Sequence, residues 1–282
     1  MANLKDLRDR ISSVKSTQKI TSAMKMVAAA KLRRAQERAQ QARPYAQQLA
    51  QILSRLRAGA SADGLPLLVG RPAPRKARVV VITSERGLCG GFNASVAKLA
   101  REKIRSWDYE EIDVVCVGRK GRDLLRAGHT IHSLHGYRQA APSFEDAADL
   151  GEQLITQFGA QEFDTCFLIS SEFESVIKQI PTARQIIPAP LPQEQPTAAP
   201  YDFEPSEEAI LSDLLPRNIK VQLFGAMLES FAGEQGARMA AMDNATRNAG
   251  EMIDRLTLQY NQTRQAVITN ELIEIISGAQ AV

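Results

Sequence analysis

"MDNATRNAGEMIDRLTLQYNQTRQAVITNELIEIISGAQAV" closes the chain at residues 242–282. Met242, Ala245, Ala249, Met252 and Leu256 recur at heptad spacing, and the row runs on through Gln259, Thr263, Ala266, Asn270 and Ile273. Steps of three and four residues hold one stripe of an α-helix toward a partner helix. This stripe is small and polar, weaker than a Leu/Ile zipper. After Pro216 no proline interrupts the chain for 66 residues. Helix over about 60 residues rises roughly 90 Å, too far to be buried in a domain of ordinary diameter.

The other end reads the same way. Residues 1–65 hold only Pro44, while residues 66–216 hold the other twelve prolines. Leu4, Leu7, Ile11 and Val14 fall at 3-4-3 spacing, then Ile20, Met24, Val27 and Lys31 at 4-3-4, with a phase shift between the blocks. Pro44 either kinks this helix or is accommodated in it. About 50 residues here span roughly 75–80 Å. Two such helices cover part of each other's apolar stripe most economically as an antiparallel pair.

The middle has another period. "ARVVVIT" (77–83), "IDVVCVG" (112–118) and "FDTCFLIS" (163–170) are short apolar, β-branched runs, with helix-like stretches near 93–106, 119–127 and 144–158. Such alternation predicts βαβ units and a largely parallel sheet. A further strand is expected at "ESVIKQI" or "ARQII". "PAPLPQEQPTAAPYDFEP" (188–205) carries six prolines and reads as an extended linker. The expected fold class is α/β: an antiparallel coiled coil of long terminal helices, with an inserted Rossmann-like domain. The divisions are an N-terminal stalk helix at 1–65, the α/β domain with its linker at 66–205, and a C-terminal stalk helix at 206–282.

Most catalytic readings fail on the residues. "ITSERGLCGGFNAS" follows the first strand, where a phosphate loop sits, but matches neither GxxxxGK[ST] nor GxGxxG. The plainer reading is a tight turn with Asn93 or Ser95 as the helix N-cap. His129, His132 and His135 recur every third residue, a spacing that scatters ligands over opposite faces of a strand. The acids of "FEDAADLGE" and "SEEAILSD" sit near helix starts, where they favour the dipole. Cys89, Cys116 and Cys166 are far apart and suggest neither a disulfide framework nor a metal site. No cofactor, metal site or catalytic constellation is expected. "MANLKDLRDR" has no apolar core, so no secretory signal is expected either, and the reduced cytoplasm is the natural compartment.

Charge is uneven. Residues 1–57 hold 13 Lys and Arg against Asp6, Asp9 and Glu37, a net +10 in a chain of net +3. That suggests an acidic partner: nucleic acid, lipid or acidic protein loops. A solvated basic helix face is the plain alternative. The basic stretch 15–38 lacks aromatics, so a nucleic acid could meet it only through phosphates. A nucleotide-binding α/β protein and a coiled-coil nucleic-acid binder are the two alternative functions at this point.

"STQKITSAMKMVAAAKLRRAQ" (16–36), "ITSERGLCGGFN" (82–93) and "VITNELIEIISGAQA" (267–281) together resemble the gamma subunits of F-type ATP synthases. Ile268, Thr269, Glu271, Glu274, Gly278 and Ala279 fall where that family's C-terminal signature puts them; Glu85 stands where the family usually has Asp. The resemblance implies a rotor shaft carrying torque between a membrane c-ring and an alpha/beta hexamer, with catalytic residues on those partners. It implies alpha, beta, epsilon and the c-ring as partners, no nucleic acid, and a peripheral place on the cytoplasmic side of a bacterial inner membrane. Lys19, Met24, Lys25, Arg264 and Gln265 match contacts to beta-subunit loops. Ile268, Leu272, Ile275 and Ile276 match a bearing at the tip, and Arg43, Tyr45, Tyr201 and Glu204 a foot near epsilon and the c-ring. The three cysteines lack the chloroplast dithiol arrangement, so no thiol switch is expected. On a helical wheel Ile268, Leu272, Ile273, Ile275, Ile276 and Ala279 spread over about 160°, wider than the usual stripe of about 100°, with Val267 among the polar residues opposite. One partner helix covers only part of that arc.

Overall fold

The computed structural model describes residues 4–59, 65–190 and 207–280. Most of the expected linker, with Tyr201 and Glu204, lies outside the described residues. In chain order the elements are α1 (Leu4–Gly59), α2 (Pro66–Val69), β1 (Lys76–Ile82), α3 (Phe92–Ser106), β2 (Glu111–Val117), α4 (Arg119–Leu125), β3 (Thr130–His135), α5 (Phe144–Gly159), β4 (Thr165–Phe173), β5 (Gln179–Ile187) and α6 (Glu207–Gln280). Two compact units form: one from the chain up to Ala28 and from Met239 onward, the other from Ala29 to Arg238.

The second unit is the α/β one. Its sheet has the order β3-β2-β1-β4-β5, parallel except for β5, which runs antiparallel to β4. Both faces are covered, which is why β1 and β2 read as continuous apolar runs. Val79 and Val81 join Val96, Ala97 and Ala100 of α3 on one face. Val80 and Ile82 join Leu150 and Leu154 of α5, with Ile219, Leu223 and Met227 of α6, on the other. From Ser230 to Gly236 every residue of α6 is buried. A helix without an exposed stripe belongs inside a protein. Small residues permit it: a Cβ on Gly233 would lie 3.2 Å from the Phe92 ring, and one on Gly236 3.2 Å from the Phe173 ring.

Strand β3 was not foreseen, because its partly exposed residues alternate weakly around two histidines. Of the two places expected for a last strand, β5 takes in the whole of "ARQII" and only the end of "ESVIKQI". Helix α5 starts with the capping box its acids suggested: Ser143 Oγ accepts from the Asp146 amide, and Asp146 accepts from the Ser143 amide. Helix α3 differs from expectation. Its N-cap is Gly91, with no side-chain cap, because Asn93 is turned into the preceding loop. A charge is buried on β1. Arg78 is 2% exposed and donates twice to Asp113, at 2.9 and 2.7 Å. It also reaches Gln157 and lies 4.8 Å over the Phe163 ring.

In the first unit α1 and α6 run antiparallel. Thr21 faces Thr246, Lys25 faces Asp243 and Arg8 faces Tyr260. No phase shift breaks α1. A row of buried and half-buried positions, Leu7, Ile11, Val14, Gln18, Thr21, Lys25 and Ala28, runs in unbroken steps of four and three, with Ser22 and Met24 half-buried beside it. Ile20 and Val27, expected on the seam, are exposed. The same rhythm continues along α1 through Leu32, Ala35, Ala39, Ala42, Ala46, Leu49, Leu53 and Leu56. Pro44 lies inside the helix on its exposed side, where water can satisfy the carbonyl its missing N–H leaves free. On α6 the seam is Met242, Thr246, Ala249, Ile253, Leu256, Tyr260, Thr263 and Val267. Three of the ten expected positions, Met252, Gln259 and Ala266, are exposed, each one residue before a seam residue, and Asn270 and Ile273 are exposed beyond the seam.

Gly118 joins β2 to α4 at φ +94°, and a Cβ there would lie 2.3 Å from the Thr83 carbonyl oxygen. Gly118→Ala is expected to cost about 2–3 kcal/mol of stability. Thermal unfolding followed by circular dichroism checks this, and an unchanged midpoint contradicts it.

Candidate functional site

The seam of the helix pair is polar for three successive layers. Gln18 lies against Gly250, its amide nitrogen 3.2 Å from where a Cβ would stand. Thr21, 9% exposed, shares a hydrogen bond of 2.8 Å with Thr246, which also donates to the Met242 carbonyl. The Lys25 ammonium donates to Asp243 at 2.6 Å, and Arg247 approaches the same carboxylate at 3.6 Å. That Lys25 hydrogen bond holds the Asp243 carboxyl below the usual carboxylate range. Apolar contact fixes no register, whereas paired polar groups are satisfied in one alignment only. These layers therefore set how the two helices sit along each other.

Of the partner contacts expected from the sequence, three fall within this stretch and two well beyond it. Lys19 is exposed, Met24 half-buried, and Lys25 is engaged with Asp243. Arg264 and Gln265 are exposed. The paired residues 25 and 243, 21 and 246, and 8 and 260 add to nearly the same number. On that register Leu4, the first described residue of α1, falls opposite residue 264. Among the residues whose burial is described, Val267 is the last half-buried one of α6. Beyond it the helix continues to Gln280 with Ile268, Leu272, Ile273, Ile275 and Ile276 between 43% and 67% exposed. This is a concentrated apolar surface with no cover among the described residues. Arg43 and Tyr45 are exposed on α1 within the α/β unit. Tyr201 and Glu204 lie outside the described residues, so the four foot residues are not seen together.

The turn after β1 is spent on internal packing. Asn93 accepts from the Ser84 amide at 3.0 Å, and its own amide donates to Ser84 Oγ and to Cys89 Sγ. Arg238 of α6 donates to the carbonyls of Arg86 and Gly87 at 3.3 and 3.1 Å. In a doubly wound sheet a ligand would enter at the carboxyl ends of the strands beside the switch in strand order. Here that position, beside β1 and β4, holds Gly233, Gly236 and Arg238. Glu234 pairs with Arg238 at 2.5 Å; burial raises its carboxyl above the usual range, against the pull of Arg238. His132 is spent on Arg78, Asp113 and Gln157, and His135 on Ser133. Burial lowers His129 and His135 below the ordinary imidazole value. Among the described residues no group of three or more His, Cys, Asp or Glu side chains could hold a metal ion. The three cysteines are buried and free.

Sequence reading missed the lock residues Thr21, Thr246 and Asp243, and the Arg238 contact. Thr and Asp at seam positions look like weak points in a coiled coil until the two helices are aligned. The unbroken four-three rhythm of α1 was the available signal, and polar residues inside it were passed over for the apolar neighbours Ile20 and Val27.

Comparison with known proteins matches the chain to a family model described as ATP synthase over residues 3–282. Proteins named ATP synthase gamma chain match over the full length of both chains: 54% identity for that of Dinoroseobacter shibae and 53% for that of Rhizobium etli. Among solved structures, the central stalk and c-ring of Tetrahymena thermophila mitochondrial ATP synthase contains a chain 27% identical, with TM-score 0.60 over 80% of this chain and 99% of that one. A chain of Euglena gracilis mitochondrial ATP synthase, 19% identical, shares the fold with TM-score 0.67 over 99% of this chain and 94% of that one.

The lock carries a pH signature. A carboxyl depressed in the folded state adds stability above its unfolded pKa, and loses it as pH falls through the lower folded value. For Asp243 the loss begins near pH 3.8 and runs downward. Asp243→Asn is expected to flatten that part of the helix pair's acid denaturation curve and to lower stability at neutral pH. Far-ultraviolet circular dichroism against pH checks this, and superimposable curves would remove the lock.

Proposed function

The chain belongs to the ATP synthase gamma family, and we propose that it is the central rotor shaft of a proton-translocating F-type ATP synthase. Torque passes through it between a membrane c-ring and a hexamer of alternating alpha and beta subunits, in synthesis or in hydrolysis. The bare apolar tip of α6 is the observation that favours this reading most. An apolar arc left open by the chain's own partner helix calls for a surrounding sleeve, and a hexamer supplies one. Apolar contact is non-directional, so it holds a tip laterally without selecting an angle. In this reading Ile268, Leu272, Ile275 and Ile276 form the bearing. Arg264 and Gln265, at the level where the helix pair ends, grip loops of beta; the Arg fork suits a carboxylate. Lys19 and Met24 meet the same ring lower on α1, and Lys25 contributes through its pairing with Asp243. Arg43 and Tyr45, with Tyr201 and Glu204, serve the contact to epsilon and the c-ring.

The chain is non-catalytic in this proposal, and the ATP sites belong to the hexamer. The packing of α6 against the β1–α3 turn supports that, because Arg238 fills the turn by donating to the Arg86 and Gly87 carbonyls, while the Ser84 amide is taken by Asn93. The site of work is the cytoplasmic side of a bacterial inner membrane, with the chain held peripherally. Among the described residues no helix is long and apolar enough to cross a membrane.

The chain alone is expected to hydrolyse no ATP, and to form an active, rotating ATPase when assembled with alpha and beta. Hydrolysis by the isolated chain, or failure to assemble, would sink the proposal. Arg264→Ala is expected to slow ATP turnover about fivefold to tenfold with assembly intact, about the net worth of one ordinary hydrogen bond. Unchanged rates of synthesis and hydrolysis would take Arg264 out of the grip.

A further inference from the structure

The two helices on one face of the sheet carry charge that the α/β unit does not match. α3 holds Lys98, Arg101, Lys103 and Arg105 against Glu102, and residues 119–126 hold Arg119, Lys120, Arg122 and Arg126 against Asp123. On the other face α5 is the reverse, with Glu145, Asp146, Asp149 and Glu152 and no cation. The chain answers that acidic helix itself: Arg138 pairs with Glu145 and Asp149, and Lys220 with Glu152. On the basic face Arg119 pairs with Glu85, Lys98 approaches Glu102, and Lys120 and Arg122 share Asp123. Among the described residues, Arg101, Lys103, Arg105 and Arg126 have no carboxylate within ion-pair distance. These four lie toward one end of the layer. Lys103 and Arg105 are in the last turn of α3, Arg126 caps α4, and Arg101 donates to the Leu124 carbonyl at 2.8 Å. Next to burial, Arg101 and Arg105 are what holds the His129 imidazole, just past α4, below its ordinary value. Helix C-termini favour cations, which accounts for one in each last turn and not for the excess. Asp108, just past α3, offsets only one of them.

We propose that this end of the α3–α4 layer rests against an anionic lipid surface, a direct contact with the bilayer besides the one through the c-ring. The inference rests on the rotor reading above, which puts the chain beside a membrane. Lys103, Arg105 and Arg126 are exposed, and Leu124, 36% exposed, stands beside Arg101 as an apolar side chain among the cations. Lys103 and Arg105, two residues apart, do not face the same way. Cations so spread do not converge on one carboxylate, but many headgroups meet them at once. Acidic headgroups attract each Lys or Arg that comes within about a Debye length, about 8–10 Å. The acidic α5, across the sheet, turns the domain's field so that its basic end is the one drawn to lipid. A fluid bilayer presents the same surface at every angle of rotation about its normal. An ion pair with a fixed protein holds one angle, whereas headgroups that exchange places hold none.

The test is co-sedimentation of the assembled alpha/beta/gamma complex, without c-ring, with lipid vesicles. In that complex, on the rotor reading, the hexamer covers the basic helix pair and the apolar tip. The complex is expected to sediment with vesicles of phosphatidylcholine and phosphatidylglycerol in equal parts and not with phosphatidylcholine alone, and to be released by salt. Lys103→Gln, Arg105→Gln and Arg126→Gln together should weaken that binding about a hundredfold, from about 1 kcal/mol per charge near an anionic surface. Assembly and ATP hydrolysis in the absence of vesicles should be unchanged. Arg105→Lys with Arg126→Lys should keep the binding, because a diffuse surface reads charge and not the guanidinium fork. Inorganic phosphate should release the complex no better than chloride at equal ionic strength; selective release by phosphate means a discrete anion pocket and overturns the proposal. So does a complex that ignores the anionic vesicles, a glutamine variant that binds them as the parent does, or one that keeps the vesicles and loses epsilon. In each of these cases a complex that assembles and hydrolyses ATP leaves the rotor reading standing. A parent chain that never assembles with alpha and beta sinks both.

Discussion

Helix α1 has an apolar stripe and no core of its own, so it must be covered by α6. This constraint shapes the rest of the molecule. Its buried positions keep a strict seven-residue repeat from Leu7 to Leu56. An undistorted α-helix drifts about 20° per heptad against such a repeat, so the seam favours a gentle left-handed supercoil. α6 meets the demand differently in each unit. In the helix pair it offers one seam. In the α/β unit it is buried on all sides between Ser230 and Gly236, lying against the sheet and, through Phe231 and Ala232, against Leu32 and Ala35.

The composition of the seam matters more than its strength. A seam of large apolar residues would gain more free energy from burial, at roughly 25 cal/mol per Å², but it would be tolerant of slippage. Gln18, Thr21 and Lys25 give up some of that burial for alignment. Single exposed or half-exposed ion pairs are weak and screened by water, so Lys25–Asp243 is a weak staple by itself. Its value lies in what a slip would cost, because Thr21 and Thr246 would lose each other across the seam and keep only the Gln18 and Met242 carbonyls of their own helices.

The architecture was legible because its signals were long. Long stretches at both ends with few breaks in period announced the helices, and short β-branched runs announced β1, β2 and β4. What stayed hidden was local. Strand β3 alternates too weakly, since His132 and His135 are held by side-chain bonds rather than by an apolar face. The α6 seam was misread by one residue at alternate positions, because Met252 looked a better seam residue than Ile253 and Gln259 stood beside Tyr260. Aligning the helices decided it: Arg8 meets Tyr260, and the register follows. Of the site residues, the exposure of the tip was legible as an arc too wide for one partner. The engagement of Lys25 was not, since a lysine on a basic helix shows nothing of an aspartate more than two hundred residues away.

The exposed apolar arc begins where the described seam of the helix pair stops. Up to Thr263 each seam residue of α6 has α1 opposite it, and the outer face can be polar. Past Val267 no described residue of α1 remains to oppose it, and side chains on every azimuth are exposed. A helix in that position could be solvated on all sides, and a freely solvated end would then carry charge. This one carries Glu271 and Glu274 close together and isoleucine or leucine at 268, 272, 273, 275 and 276. Exposed side chains of that size cost solubility unless a partner removes them from water. The helix thus changes from a member of a pair to a ligand for something that surrounds it. Arg264, with its directional donors, stands at the boundary between the two.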